Sequence, residues 1–85
     1  MDWNDVSFVL SGSKRKGLLL ALDNPRTPAQ LSKIISVSVT NMWSKLKALE
    51  DKGLVECITP EAKKGRIYRL TKKGESVLKE VKKTN

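Results

Sequence analysis

TPAQLSKIISVSVTNMWSKLKALEDKGLV, residues Thr27 to Val55, is the stretch that decides the fold. Thr27 can cap a helix, Pro28 suits the first helical position, and Gln30 completes a capping box. The helix started in this way should run from about Pro28 to Ile35, with Leu31, Ile34 and Ile35 facing inward. Ser36-Val37-Ser38 then turns the chain, and Ser38 is the expected N-cap of a longer helix from Val39 to about Lys52. Gly53 stops it. At about 100° per residue, Val39, Met42, Leu46 and Leu49 fall on one narrow stripe, the expected core face. Thr40, Ser44, Lys47 and Asp51 lie opposite, with Asn41 and Trp43 flanking. From Asn24 to Leu49 there are four basic residues (Arg26, Lys33, Lys45, Lys47) and no acid. A segment built like this can lie against a polyanion.

The chain has 85 residues, 39% of them apolar. That suits one small globular domain, residues 1–85, with a modest core. No apolar run approaches the ~20 residues that span a bilayer. The start, MDWNDVSF, is acidic and lacks the basic region of a secretion signal, so the chain reads as cytoplasmic. Histidine is absent and Cys57 is the one cysteine. A zinc site needs about four Cys or His ligands, and a Ser-His or Cys-His nucleophile needs histidine. No glycine-rich phosphate loop is present either. No metal, no cofactor, no catalytic residue and no enzymatic activity are therefore expected. Cys57 reads as a small buried hydrophobe of a strand rather than a reactive or intermolecular thiol.

Seventeen Lys and Arg against nine Asp and Glu give a net charge of +8 and a pI near 9.9. Nucleic acid is the commonest partner of so basic a small domain. A helix lying on a membrane surface is the other candidate, but it would need aromatics on an apolar face of a basic helix, and these helices lack that.

Before the central stretch, Trp3, Val6, Phe8, Val9 and Leu10 suggest a short helix or docked segment that buries an aromatic pair. Ser11-Gly12-Ser13 breaks the pattern and offers an N-cap. A helix from about Lys14 to Leu22 follows, with Leu18, Leu19 and Leu22 at core spacing. Lys14, Arg15 and Lys16 crowd its first turn, where the helix dipole disfavours cations. A nearby phosphate would explain them, although plain solvation is the simpler reading. Asp23 to Arg26 is a turn.

After Gly53, residues 54–58 and 66–70 read as the two strands of a hairpin, joined by the loop 59–65. From Lys63 to Lys73 there are six cations and no acid. Thr71 should cap a last helix carrying Val77, Leu78 and Val81 on one stripe, and Thr84-Asn85 should fray. The fold class is mainly α with a small β-hairpin: a three-helix core, a hairpin, and a C-terminal helix over about 71–83.

TPAQLSKII, SVSVTNMWSKLKALEDKGLV and KKGRIYRLTKKG together resemble the winged helix-turn-helix domains of the MarR and ArsR type, particularly small archaeal transcriptional regulators. The run from Leu46 to Val55, LKALEDKGLV, is the most specific part, and about sixty residues are covered. The resemblance implies a helix-turn-helix over about 27–53, a wing over about 54–70, and binding of double-stranded DNA. By position, Ser38, Thr40, Asn41, Ser44 and Lys47 would face the major groove, while Lys63, Lys64 and Arg66 would serve the wing. Lys14, Arg15, Lys16 and Thr27 are candidate phosphate contacts. Trp43 stands where such domains usually have a small residue. It can meet a sugar or a thymine methyl, or fold back onto the first or second helix, and partial burial is the expectation. Metal-sensing members use Cys and His clusters, which are absent here. The chain is also too short for the long terminal helices that build an effector pocket.

The reading is thus a sequence-specific, nucleoid-associated transcriptional regulator. Asn41 suits a bidentate contact with adenine, and Ser and Thr discriminate less. Lys33 and Lys45 are solvated or phosphate-facing. A weakly specific architectural protein is the alternative, favoured a little by the lack of arginine on the outer helix face. A module for protein–protein assembly is a third reading, though it should show an apolar or mixed-charge face. A homodimer is expected through the N-terminal segment (Trp3, Val6, Phe8) and the C-terminal helix (Val77, Leu78, Val81), against the simpler case in which these pack within one chain.

Overall fold

Helices and one hairpin follow each other in the order α1 (Trp3–Ser11), α2 (Arg15–Ala21), α3 (Pro28–Ile35), α4 (Val39–Asp51), β1 (Val55–Cys57), β2 (Tyr68–Leu70) and α5 (Lys72–Lys83). The structure is a computed structural model and describes residues 3–12, 14–63 and 65–83. Ser13 and the wing cation Lys64, together with the C-terminal Thr84 and Asn85, lie outside the described residues.

α3 starts as its residues dictate. The Thr27 hydroxyl accepts from the Gln30 N–H at 3.2 Å, and the Gln30 side chain accepts from the Thr27 N–H at 3.0 Å. Its end is a left-handed Ser36, φ 57°, which turns the chain toward α4. Ser38 caps α4 by accepting from the Asn41 N–H at 3.2 Å. Gly53, at φ 76°, ends the helix and lets Leu54 return an N–H to the Leu49 carbonyl at 3.0 Å. Only glycine takes that backbone region without strain.

Leu18, Leu19, Leu31, Met42, Leu46, Leu49 and Leu54 are fully buried and form the centre of the core. α1 and α5 pack on each other at one side of it, through Val6 and Val9 with Val77, Leu78 and Val81. The intrachain arrangement therefore accounts for most of the apolar residues expected at a dimer contact. Lys73 ties this side together, donating to the Lys52 carbonyl at 2.9 Å and lying 3.0 Å from Asp5 Oδ2. That oxygen is buried without an aligned hydrogen bond, so the contact with Lys73 is chiefly coulombic.

Four expectations are corrected. The N-terminal aromatic pair is not buried: Trp3 is 63% exposed and Phe8 is half-buried. Trp3 is the first residue of α1, ahead of the Val6 and Val9 stretch that meets the core, and Arg15 sits 3.9 Å above the Phe8 ring. The cap position of α2 is held by Lys14 in a helical conformation, with no side-chain cap bond from it. Ile34 is 50% exposed, because only the Leu31 side of α3 meets the core. Val39 is 44% exposed, because the first turn of α4 extends past the body that covers Met42.

β1 and β2 pair antiparallel with Val55 opposite Leu70 and Cys57 opposite Tyr68. The strands are shorter than expected, although an Ile58 N–H to Ile67 carbonyl bond of 2.8 Å extends the ladder. The segment expected as a plain turn does more. Arg26 exchanges two backbone bonds with Tyr68, 3.0 and 2.9 Å, and so lays an isolated third rung against the hairpin. Its side chain donates to the Ala21 carbonyl at 2.7 Å, closing the end of α2.

The hairpin then joins α5 through an unusually close approach. Thr71 donates from its hydroxyl to the Gly53 carbonyl at 2.6 Å and accepts from the Gly74 N–H at 3.0 Å. Gly74 lies directly against the Leu54 carbonyl, where there is no room for a Cβ. Val77, Leu78 and Val81 face the core from this helix as their spacing predicts.

Candidate nucleic-acid interface

Met42, Leu46 and Leu49 hold α4 to the body with no exposed surface. The other side of the helix is therefore presented outward. Ser38, Thr40, Asn41, Trp43, Ser44 and Lys47 are all exposed. Ser38 is occupied as the cap, but its hydroxyl proton remains to donate. Among the described residues, the side chains of Thr40, Asn41 and Ser44 have no hydrogen-bond partner. Lys47 pairs with Asp51 at 3.2 Å toward the far end of the helix. Both partners are exposed, so such a pair is weak and a phosphate can displace the aspartate. Lys33 is exposed and Lys45 half-buried.

Trp43 is 41% exposed; it borders a cleft together with Pro28 and Ala29 of α3, one of the two helices it was expected to fold onto, and the aromatic ring it meets belongs to the hairpin. Its ring meets Tyr68 of β2 edge to face, with centroids 6.2 Å apart and planes at 77°. Such pairs contribute about 0.5–1.5 kcal/mol beyond their area. Tyr68 is itself held on one side by Cys57 and on the other by Arg26. Burial pushes the Tyr68 phenol above its ordinary value of 10.0, opposed in part by a hydrogen bond with Arg66. α4 and the hairpin are thereby braced through two aromatic rings.

Between them lies an open cleft of about 290 Å³, lined by Thr27, Pro28, Ala29, Val39, Trp43, Lys63, Gly65 and Arg66. Its floor is apolar and its wing side carries two cations, with no acid in the lining. The wing loop that forms this side is tied internally. The Thr59 hydroxyl accepts from the Ile67 N–H at 2.9 Å, and Arg66 Nε donates to the Ala62 carbonyl at 2.9 Å. Thr27 reaches the cleft as well as capping α3.

The cluster at the start of α2 sits differently from the wing cations. Arg15 donates to the Phe8 carbonyl at 2.7 Å and to the Ser11 hydroxyl at 3.1 Å. A cation at a helix C-terminus is favoured by the dipole, so Arg15 serves as a clasp for α1. Lys14 is exposed, and Lys16 is half-buried. Cys57 is half-buried, 4.0 Å from the Thr59 hydroxyl. Among the described residues there is no cluster of three metal-ligating side chains, and no helix long and apolar enough to cross a membrane.

Sequence reasoning missed Pro28, Ala29 and Val39 as cleft residues and Tyr68 as the pillar behind Trp43. The alternation Tyr68-Arg69-Leu70 is a signal that could have marked the tyrosine as buried; nothing local signals what it meets.

No protein-family model and no curated protein matches the chain. Solved structures do. A cysteine variant of E. coli MarR in complex with operator DNA superposes with a TM-score of 0.76 at 25% identity, over 92% of this chain and 61% of that one. The transcriptional repressor CouR bound to a 23-mer DNA duplex gives 0.75 at 30% identity, over 84% and 52%. The transcriptional regulator BldR from Sulfolobus solfataricus gives 0.72 at 28% identity, over 80% and 50%. The chain thus has the winged-helix fold of MarR-family transcriptional regulators, and it spans less than two thirds of the length of each.

Proposed function

We propose that the chain is a double-stranded DNA-binding transcriptional regulator of the MarR type, without enzymatic activity. The N-terminal half of α4 enters the major groove, and the wing lies on the backbone or in the adjacent minor groove. The observation that carries this reading is the outer face of α4: Thr40, Asn41 and Ser44 stand exposed and unpartnered, while Val39 and Trp43 of the same helix border a cleft with the cations Lys63 and Arg66. Short donors and acceptors next to base edges, with cations next to phosphates, are what such a helix needs. Lys63, Lys64 and Arg66 supply phosphate contacts, with Lys14, Lys16 and Thr27 as further ones; Asn41 is the principal base reader. DNA complexes among the neighbours that share the fold support sequence-specific regulation over a purely architectural role.

The regulator acts in the cytoplasm, associated with the nucleoid, and as a homodimer. Trp3 and Leu10, both exposed on α1, offer apolar surface for the two-fold contact beside the C-terminal helix. Light scattering that returned a monomer mass at high concentration would overturn the dimer.

The central test is a fluorescence-anisotropy titration with duplex DNA at two salt concentrations. Affinity should fall steeply with salt, by roughly 0.9 in logarithmic slope for each phosphate neutralised. Replacing Lys63 and Lys64 by alanine should reduce the slope by about two. Binding that ignored salt, or that ignored both substitutions, would sink the proposal.

A further inference from the structure

A protein that sets a helix in the major groove and a hairpin in the neighbouring minor groove must straddle the strand that separates the two. That strand has to pass through the space between helix and hairpin. Here this space is the cleft bounded by α4, the start of α3 and the wing. Its composition is specific: Pro28, Ala29, Val39 and the exposed part of Trp43 make an apolar floor, and Lys63 and Arg66 stand at the wing side. A backbone unit of DNA has a matching duality, with an apolar deoxyribose face and an anionic phosphate. Base edges, by contrast, belong opposite Thr40, Asn41 and Ser44, on the face of α4 that has no cleft.

We propose, resting on the DNA-binding reading above, that this cleft seats one deoxyribose-phosphate unit of the DNA backbone. The sugar lies on Trp43, Val39 and Ala29, and the phosphate meets Lys63 and Arg66. Trp43 is then an affinity residue that does not read sequence. Its edge-to-face contact with Tyr68 keeps the indole in place before DNA arrives, so little side-chain freedom is lost on binding. Val39, exposed at the first turn of α4, completes the sugar-facing wall.

The test uses the whole chain and fluorescently labelled duplexes, whose anisotropy reports binding by the parent and the variants alike. Two duplexes are titrated, one selected from a random pool and one of arbitrary sequence, together with a copy of the selected duplex carrying deoxyuridine for thymidine. Trp43→Ala should weaken binding to both sequences equally, about five- to tenfold, as expected when roughly half of the exposed indole is covered. The salt slope should not change, because the lost contact is apolar. Trp43→Phe, which keeps a ring against Tyr68, should lose about two- to threefold and serves as the decisive variant if the alanine form does not fold.

A fall in the ratio of selected to arbitrary binding would overturn the proposal, as would a deoxyuridine penalty that vanishes in Trp43→Ala; either would make Trp43 a reader of thymine. Folded variants that bind both duplexes as tightly as the parent would overturn it too. If the parent binds neither duplex even at low salt, the DNA-binding reading itself falls, which is a separate and recognisable result.

Discussion

Gly74→Ala tests the packing of α5 most sharply, because helix propensity and tertiary structure predict opposite signs. In an isolated helix the change from glycine to alanine gains about 1 kcal/mol. In this fold a Cβ on Gly74 would sit within the contact sphere of the Leu54 carbonyl oxygen, 2.9 Å from its carbonyl carbon and 3.3 Å from its Cα. The obstacle is backbone, so no rotamer relieves it. The first turn of α5 would have to withdraw by roughly 1 Å to restore ordinary contact distances. That movement strains the bond from the Thr71 N–H to the Leu54 carbonyl, 3.1 Å, and the one from the Thr71 hydroxyl to Gly53, 2.6 Å. Overpacking costs about 1–3 kcal/mol, and a buried bond left unmade costs about as much again.

Subtracting the propensity gain leaves a net loss of about 3 kcal/mol. For an 85-residue chain with a total stability of about 8 kcal/mol, Tm should drop by about 12–24 °C. Gly17→Ala is the control. Its Cβ would meet only Ile35 Cγ2 at 3.6 Å, an ordinary contact, so Tm should rise by about 2–8 °C. Thermal melts followed by far-UV circular dichroism decide the matter. If Gly74→Ala melted at or above the parent, the tight junction between α5 and the Leu54 carbonyl would be refuted.

Two further outcomes are expected. Lys73→Met leaves the Asp5 carboxylate, 5% exposed in its side chain, with no facing cation; the loss should be about 2 kcal/mol in urea unfolding, less than for a fully buried pair because Lys73 is half exposed. Adding Asp5→Asn should recover most of that loss, and a double variant as unstable as the single one would refute the coulombic account. Tyr68 is the sole tyrosine, so absorbance at alkaline pH should report its phenol alone, titrating above 10.0. A folded value above the unfolded one means that the native state holds the proton more tightly. This contribution is therefore complete below the unfolded value and lost as pH rises through the folded one, leaving neutral pH unaffected. A phenol titrating at or below its ordinary value would contradict the burial.

Local chemistry was legible where the chain interacts with itself over a few residues. The box at Thr27 and Gln30, the Ser38 cap, the Gly53 stop and the Thr71 cap each concern neighbours within one turn, and their residue types leave few alternatives. The stripe Met42, Leu46 and Leu49 was legible for the same reason, since helical period alone aligns it. The charge pattern could also be read directly, because acids and cations are segregated along the chain as well as in space. Arg15 is the exception. As a cation in the first turn of α2 it suggested an anion, but its guanidinium has the α1 carboxyl end within reach, and that partner is visible only once α1 and α2 are folded against each other.

What remained hidden concerns where one element stops covering another. Val39 has the azimuth of the core stripe, and period assigns azimuth correctly; it carries no information about how far the body extends along the helix axis. The core ends beneath Met42, so Val39, one turn earlier, emerges beside the wing. Trp43 shows the same limit from the other side. Its place beside the core stripe followed from its angle, whereas its ring partner required the Arg26 rung that holds Tyr68 in place, a backbone pairing with no sequence signature. Val39 and Trp43 line the same cleft. Residues that look like core by period, yet stand past the end of the core, furnish an apolar surface next to cations without any break in the helical pattern. That is why the cleft escapes sequence inspection: period places Val39 on the core stripe, and only the extent of the core along α4 shows that it stands outside.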